Sequence, residues 1–296
     1  MKEDRPSFTA AYVATARALG SLLPPEARLC EDRFGAAFAG QTIVAAVRRL
    51  EVGPAIARRA ALHVPGVLRN VLWLQLRTRV LDDELRSFVE AGGRQVVLLG
   101  AGFDCRAARL CRALAGSVVF EVDHPATQAK KRKVLGGLGA ESADVAYVAW
   151  DFERDAMEKL PARLAESGHD HALPTLTVWE GVTMYLTPPA IEAAVAAVRA
   201  YSGKGSRLAF TYFDRAVVEH PPLARRLAGH VVARAGEPFR FGWAPEELPA
   251  WLAARGFQLR ADGVDTELAA RLLPLGYAQR VGTRGNHVAV AETVDG

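Results

Sequence analysis

The sequence predicts an α/β fold: a doubly wound, mostly parallel sheet of seven strands with an antiparallel last strand, preceded by an N-terminal helical cap. Three observations point to it. From about residue 95 onward, short apolar runs alternate with helical segments, the rhythm of a sheet covered on both faces. The first run, Val96 to Leu99, stops at the turn Gly100-Ala101-Gly102, and the next run ends about twenty residues later in Glu121-Val122-Asp123, the spacing of a first β-α-β unit. The opening ninety residues carry helical period and no strand pattern. Together these describe a Rossmann-like architecture.

In chain order, Phe8 to Leu19 reads as an Ala-rich amphipathic helix, broken by Pro24-Pro25. Phe34 to Leu50 is a second apolar-periodic segment, interrupted by Gly53-Pro54, and Leu68 to Val89 continues in helical period after Pro65-Gly66. The strands are expected at residues 95–99, 118–122, 145–150, 176–180, 207–212, 256–261 and 287–292. Helices are expected at residues 107–115, 125–138, 156–165, 188–201 and 245–254. The last interval reads as short, letting the final strand return antiparallel beside its neighbour. The simplest organisation is residues 1–90 as a cap over the carboxyl ends of the strands, and residues 91–296 as the ligand-binding core.

Composition bounds the function. Hydrophobic residues at 50% and charged residues at 24% are ordinary globular usage. No window approaches eighteen consecutive apolar residues, and Met1-Lys2-Glu3-Asp4-Arg5-Pro6 has no apolar signal core, so a cytoplasmic protein without a membrane partner is expected. The net charge of +4 comes from arginines scattered among acids. The one dense basic run, Lys130-Lys131-Arg132-Lys133, has no interleaved aromatics and reads as a solvated helix face, so nucleic acid is not expected. Cys30, Cys105 and Cys111 form neither a metal pattern nor a disulfide framework and read as buried thiols.

The glycine turn and the acid after it point to a nucleoside-containing cofactor. Glycine lets a ligand touch backbone, and ribose hydroxyls are natural partners for an acid at the end of an apolar strand. A dinucleotide turn would carry a third glycine where Cys105 stands, which weakens a nicotinamide or flavin reading. Asp123, Asp151 and Glu180 end the second, third and fourth strands at one edge. Each alone could be an ordinary loop acid. Jointly they would meet ribose hydroxyls, an adenine amino group and a positive group. A sulfonium cation suits such an edge better than a pyrophosphate, which prefers helix N-termini and bases.

The ordered set Arg77-Thr78-Arg79-Val80-Leu81-Asp82, then Val97 through Arg106, then Phe120-Glu121-Val122-Asp123-His124-Pro125, then Glu180 through Pro188, resembles the leucine carboxyl methyltransferase family of class I S-adenosylmethionine-dependent O-methyltransferases. The helix from Thr9-Ala10 to Arg17-Ala18 and Trp243-Ala244-Pro245-Glu246-Glu247 ahead of Gly256-Phe257 extend the resemblance over nearly the whole chain. The resemblance implies S-adenosylmethionine as cofactor and S-adenosylhomocysteine as product. It implies Arg77 on the methionine carboxylate, where a guanidinium makes a bidentate pair. It puts Gly100, Ala101 and Gly102 at the methionine and ribose part, Asp123 on the ribose with His124 beside it, Asp151 and Phe152 at adenine, and Glu180 near the cofactor's amino group. Tyr185 then points toward the transferred methyl, or packs as a core aromatic. Departures are Asp151-Phe152 where the family often has Asp-Leu, His124 where Gln or Phe is common, and Phe103 and Cys105 where others carry Leu or Met and Thr or Ser.

Methyl transfer from a sulfonium is an in-line displacement with a neutral leaving group, and alignment alone can supply roughly 7–11 kcal/mol. A carboxylate acceptor is ionised at neutral pH and needs no base, whereas a phenol, with a pKa of about 10, does. Of the seven histidines, His220 in Glu219-His220-Pro221-Pro222 is the best candidate base, with a plain surface histidine as its alternative. The expectation is methylation of a carboxylate on a small aromatic or polyketide-like metabolite, with a phenolic hydroxyl as the runner-up and a nicotinamide oxidoreductase behind both. Oligomeric state is left open.

Overall fold

The computed structural model describes residues 8–38, 62–221, 239–282 and 285–294. Each apolar run predicted as a strand forms one: β1 (Gln95–Leu99), β2 (Val118–Asp123), β3 (Asp144–Ala149), β4 (Thr175–Trp179), β5 (Arg207–Phe213), β6 (Phe257–Val264) and β7 (Asn286–Thr293). They make one sheet in the order β3-β2-β1-β4-β5-β7-β6. All neighbouring pairs are parallel except the two that β7 makes, with β5 and with β6. The antiparallel last strand is therefore interior, inserted between its two predecessors. The interval before it is not a plain return. It holds two short helices, α9 (Asp265–Leu272) and α10 (Leu275–Val281), separated at Leu273-Pro274.

Alternation along the strands builds two cores. In β1, Val96 and Leu98 face one way, with α2 (Pro65–Glu90), α9 and α10; Val97 and Leu99 face the other, with α5 (Leu160–Glu166), α6 (Pro188–Tyr201) and α8 (Leu248–Ala253). β1 and β4 are buried along their whole length; β1 is apolar from Val96 to Leu99, while β4 also buries Thr175 and Thr177. α1 (Phe8–Gly20) packs on α2 and on a short 3-10 turn, Gly35–Phe38. The rest of the predicted second helical segment, and Gly53-Pro54, lie outside the described residues. The helix expected at residues 107–115 is only α3 (Arg106–Arg109), continued by turns.

Two polar clamps hold the sheet. Across β7, the Tyr212 hydroxyl on β5 donates to Asp262 of β6 at 2.6 Å, and the same carboxylate meets His287 Nδ1 of β7 at 3.1 Å. On the other flank, Lys131 of α4 (Pro125–Gly137) is buried and donates from Nζ to Glu121 Oε2 of β2 at 2.7 Å. Gln128 Nε2 of the same helix donates to the carbonyls of Glu121 and Val148. The basic run is thus not wholly a solvated face: Arg132 and Lys133 are exposed, while Lys131 is a core residue and Lys130 lies over the Phe103 ring.

Burying two unit charges is tolerable only while they stay paired. Glu121→Gln, which strands the Lys131 ammonium, is expected to cost about 3–5 kcal/mol in urea unfolding. Glu121→Leu with Lys131→Met is expected to recover most of that loss.

Candidate active site

After β1 the chain runs outward to β2 and β3, then returns to place β4 on the other side of β1. The gap between the carboxyl ends of β1 and β4 is the topological switch point, where ligands bind in such sheets. The two turns that meet there touch. Gly100 has φ +73°, and a Cβ built on it would lie 2.7 Å from Cγ2 of Val182, in the turn after β4. Gly102 has φ +48°, and its missing Cβ faces Ala10 of α1 at 3.3 Å. The first helix therefore lies over the glycine turn.

Asp123, the last residue of β2, reaches back to that turn. Its Oδ2 accepts from the Gly102 N–H at 2.7 Å and its Oδ1 from the His124 N–H at 2.7 Å. Burial pushes its carboxyl above the ordinary value, against the opposing pull of these two N–H donors. His124 caps α4, with Nδ1 accepting from the Ala126 N–H at 3.2 Å. That role leaves the proton on Nε2, which faces Asp151 Oδ2 at 3.7 Å. Asp151 Oδ1 accepts from the Glu153 N–H, and Phe152 packs at the margin of the second core. Gly100, Ala101, Gly102, Asp123, His124 and Asp151 thus form one continuous edge over β1, β2 and β3.

Arg77 and Glu180 close the other side. Arg77 Nε donates to Glu180 Oε1 at 2.7 Å, while among the described residues neither Nη of Arg77 makes a hydrogen bond. Glu180 Oε2 accepts from Arg106 Nη1 at 2.6 Å. Burial works to raise the Glu180 carboxyl, but the Arg106 and Arg77 guanidiniums hold it far below the ordinary carboxylate range. The acid expected beside a positive group already has two of the protein's own.

These contacts belong to a larger buried cluster that the sequence reading missed. Arg106 Nε donates to Asp82 Oδ1 at 2.8 Å, its Nη1 also reaches Asp104 Oδ2, and its own N–H donates to Asp104 Oδ1. Arg109 binds Asp82 through both Nη atoms. Arg17 of α1 pairs with Asp32 at 3.2 Å and donates from Nη2 to the Phe103 carbonyl at 2.8 Å. The arginines 17, 77, 106 and 109 face the carboxylates 32, 82, 104 and 180, so the cluster is balanced in charge. Asp82, Asp104 and Arg106 stand inside the segments that carry the family resemblance, and local pattern gives them no role. One local sign was available: a cation opening a helix, where the positive dipole end disfavours it, needs a compensating partner.

The predicted catalytic pair is less integrated. Tyr185 lies in the 3-10 turn Thr183–Tyr185, its ring stacked on Phe239 at 5.6 Å, with Phe213 edge-on to Phe239 at 5.2 Å. His220 is exposed at the end of α7 (Arg215–Glu219), and no hydrogen bond among the described residues ties it to Tyr185 or Glu180. Cys105 is buried, with its thiol pushed up to about 12 by desolvation, and is inert; Cys30 and Cys111 are half-buried rather than fully enclosed. Among the described residues no group of three or more His, Cys, Asp or Glu could hold a metal, and no helix is long and apolar enough to cross a membrane.

The donor set fits S-adenosylmethionine: a guanidinium edge with open donors for a carboxylate, and a carboxylate beside a glycine turn for a ribose diol. Known proteins agree. The leucine carboxyl methyltransferase family profile matches residues 10–199. A Streptomyces coelicolor protein named "Putative S-adenosyl-L-methionine-dependent methyltransferase" is 36% identical over 184 residues, 62% of this chain and 61% of that protein. A Frankia alni relative of the same description is 35% identical over 208 residues, 70% of this chain and 69% of its own. The match thus spans about three fifths of the Streptomyces relative's length. A crystal structure described as "a putative methyltransferase" from Thermobifida fusca shares the fold, with a TM-score of 0.58 and 19% identity over 99% of this chain and 97% of that one. The motifs, the switch-point geometry and these matches converge: the chain belongs to the leucine carboxyl methyltransferase family of S-adenosylmethionine-dependent methyltransferases.

Proposed function

We propose that this chain transfers the methyl group of S-adenosylmethionine to a carboxylate on a small-molecule acceptor, leaving S-adenosylhomocysteine. In this reading the open Nη atoms of Arg77 take the cofactor's carboxylate and Glu180 lies nearest its ammonium. Asp123 accepts from the ribose hydroxyls. His124, Asp151 and Phe152 frame the adenine, and the Gly100-Ala101-Gly102 turn brings backbone close to the ribose and methionine part. The bound cofactor supplies an electrophilic methyl with a neutral leaving group. Within the cap expected of residues 1–90, α1 is the part that covers the site, with Ala10 over Gly102 and Arg17 on the Phe103 carbonyl, whereas α2 packs on a face of the sheet. Such a cover excludes water from the transfer.

The observation that carries the carboxylate reading is the state of Glu180. Both of its oxygens are committed to guanidiniums, and its proton affinity is suppressed far below that of a free carboxylate. It cannot serve as the base that a phenol would require. An acceptor that arrives already ionised needs only alignment. Tyr185 in the turn after β4, Phe213 at the end of β5 and Phe239 form one ring cluster that suits an aromatic or polyketide-like acceptor body. His220 would be the base in the phenolic alternative, and its exposed position just after α7 speaks against that role.

A panel of aromatic carboxylic acids and matched phenols, incubated with methyl-labelled S-adenosylmethionine, tests the acceptor class. The expected product is a base-labile methyl ester, and activity is expected to survive His220→Ala. A base-stable methyl ether that disappears in the His220→Ala variant would reverse the assignment.

The raised carboxyl of Asp123 has its own signature. An acid with an elevated folded value loses its charge earlier as pH falls. S-adenosylhomocysteine affinity is therefore full above that value and declines as pH drops through it. Calorimetric titration across pH is expected to show this decline in the parent chain. Asp123→Asn is expected to remove this step and to weaken binding about ten- to hundred-fold at neutral pH.

A further inference from the structure

Arg106 is the most heavily committed charge in the cluster, and among the described residues its side-chain hydrogen bonds go only to Asp82, Asp104 and Glu180. It is wholly buried, with three carboxylates around it: Asp82, Asp104 and Glu180. Its Nη2 is buried with no partner among the described residues. A buried ion group with a donor left over is a poor way to gain stability, since apolar packing of similar volume does as well or better. Its placement is better explained by what it orients.

Each Glu180 oxygen has one arginine: Arg106 on Oε2, Arg77 on Oε1. Arg106 is in turn fixed by Asp82 on α2 and by Asp104 in the glycine-turn segment. Among the described residues Arg77 is bound through Nε alone. The direction of its free Nη edge is therefore set by the plane of the Glu180 carboxylate, and that plane is set by Arg106. We infer that Arg106 is a positioning residue for the amino-acid end of the cofactor, acting through Glu180 and Arg77. This rests on the cofactor reading above and deepens it. Only a planar fork reaches all three carboxylates, so lysine cannot substitute.

The relay serves the methionine moiety and not the nucleoside, and two ligands separate these. S-adenosylhomocysteine carries the amino-acid end; 5′-methylthioadenosine has the same adenosine and lacks it. Calorimetric titration of both into the parent chain, Arg106→Lys and Arg106→Gln is the experiment. S-adenosylhomocysteine affinity is expected to fall about ten-fold or more in the variants, while 5′-methylthioadenosine affinity changes by less than about three-fold. Should the Arg106 variants not fold, Asp82→Asn loosens Arg106 without touching Glu180, and is expected to give the same selective loss. Equal weakening of both ligands, or unchanged binding of S-adenosylhomocysteine, overturns the relay. Failure of the parent chain to bind either ligand overturns the cofactor reading, and the relay with it.

Discussion

The pairing of Glu180 with two guanidiniums is the interaction around which this site is arranged. A carboxylate at the end of a fully buried strand would be expelled or protonated on its own. Flanked by Arg77 and Arg106, it stays ionised and inside. The same logic extends outward: each further charge needs a counter-charge until the cluster is neutral, with Arg17, Asp32, Asp82, Asp104 and Arg109 completing it. The result ties together four parts of the chain far apart in sequence: α1, α2, the glycine-turn segment and the end of β4. Apolar packing could hold these parts together, but it could not orient a guanidinium.

The edge divides by chemistry. Over β1, β2 and β3 it is built from backbone turns and partly buried acids, suited to hydroxyl and amino groups of a nucleoside. Over β4 and β5 it gives way to aromatic rings, with the ion cluster between the two. Under the proposed function, the transferable methyl would lie at that seam, between a polar half for the donor and an apolar half for the body of an acceptor. Glu180 is held ionised by the same pairing that fixes Arg77, so under the proposed function cofactor-carboxylate recognition and the preference for an already ionised acceptor would have one physical cause.

Much of the fold was legible because buried strands are rich in apolar and β-branched residues, the Val96–Leu99 run of β1 and the Leu176-Thr177-Val178-Trp179 of β4 among them, and both strands fall within a residue of where the pattern puts them. α9 and α10 were not, because Pro274 and Gly276 mask the helical period and each helix is only about two turns long. The place of β7 between β5 and β6 was invisible too, since pairing order depends on contacts that local pattern does not encode. At the site, Asp123 and the glycine turn were readable as a local unit of known spacing. The Arg106 cluster was not: its partners lie 2, 24 and 74 residues away in sequence, and no period connects them. Lys131 was misread for a related reason, since one inward residue in a basic run looks like its neighbours until Glu121 is seen beneath it.

The interior position of β7 bears on the order in which the sheet is assembled. β6 touches the sheet only through β7, and β7 is the last strand of the seven. During synthesis from the N-terminus, the β1–β5 portion can pair as soon as it emerges, but β5 keeps an open hydrogen-bonding edge while β6, α9 and α10 are made. Only when β7 slots between the two does that edge disappear, and Tyr212, Asp262 and His287 then latch across it. For that interval the nascent chain carries an exposed apolar strand edge, the feature by which half-made sheets stick to one another. The cost of this topology therefore falls on biogenesis rather than on the finished molecule.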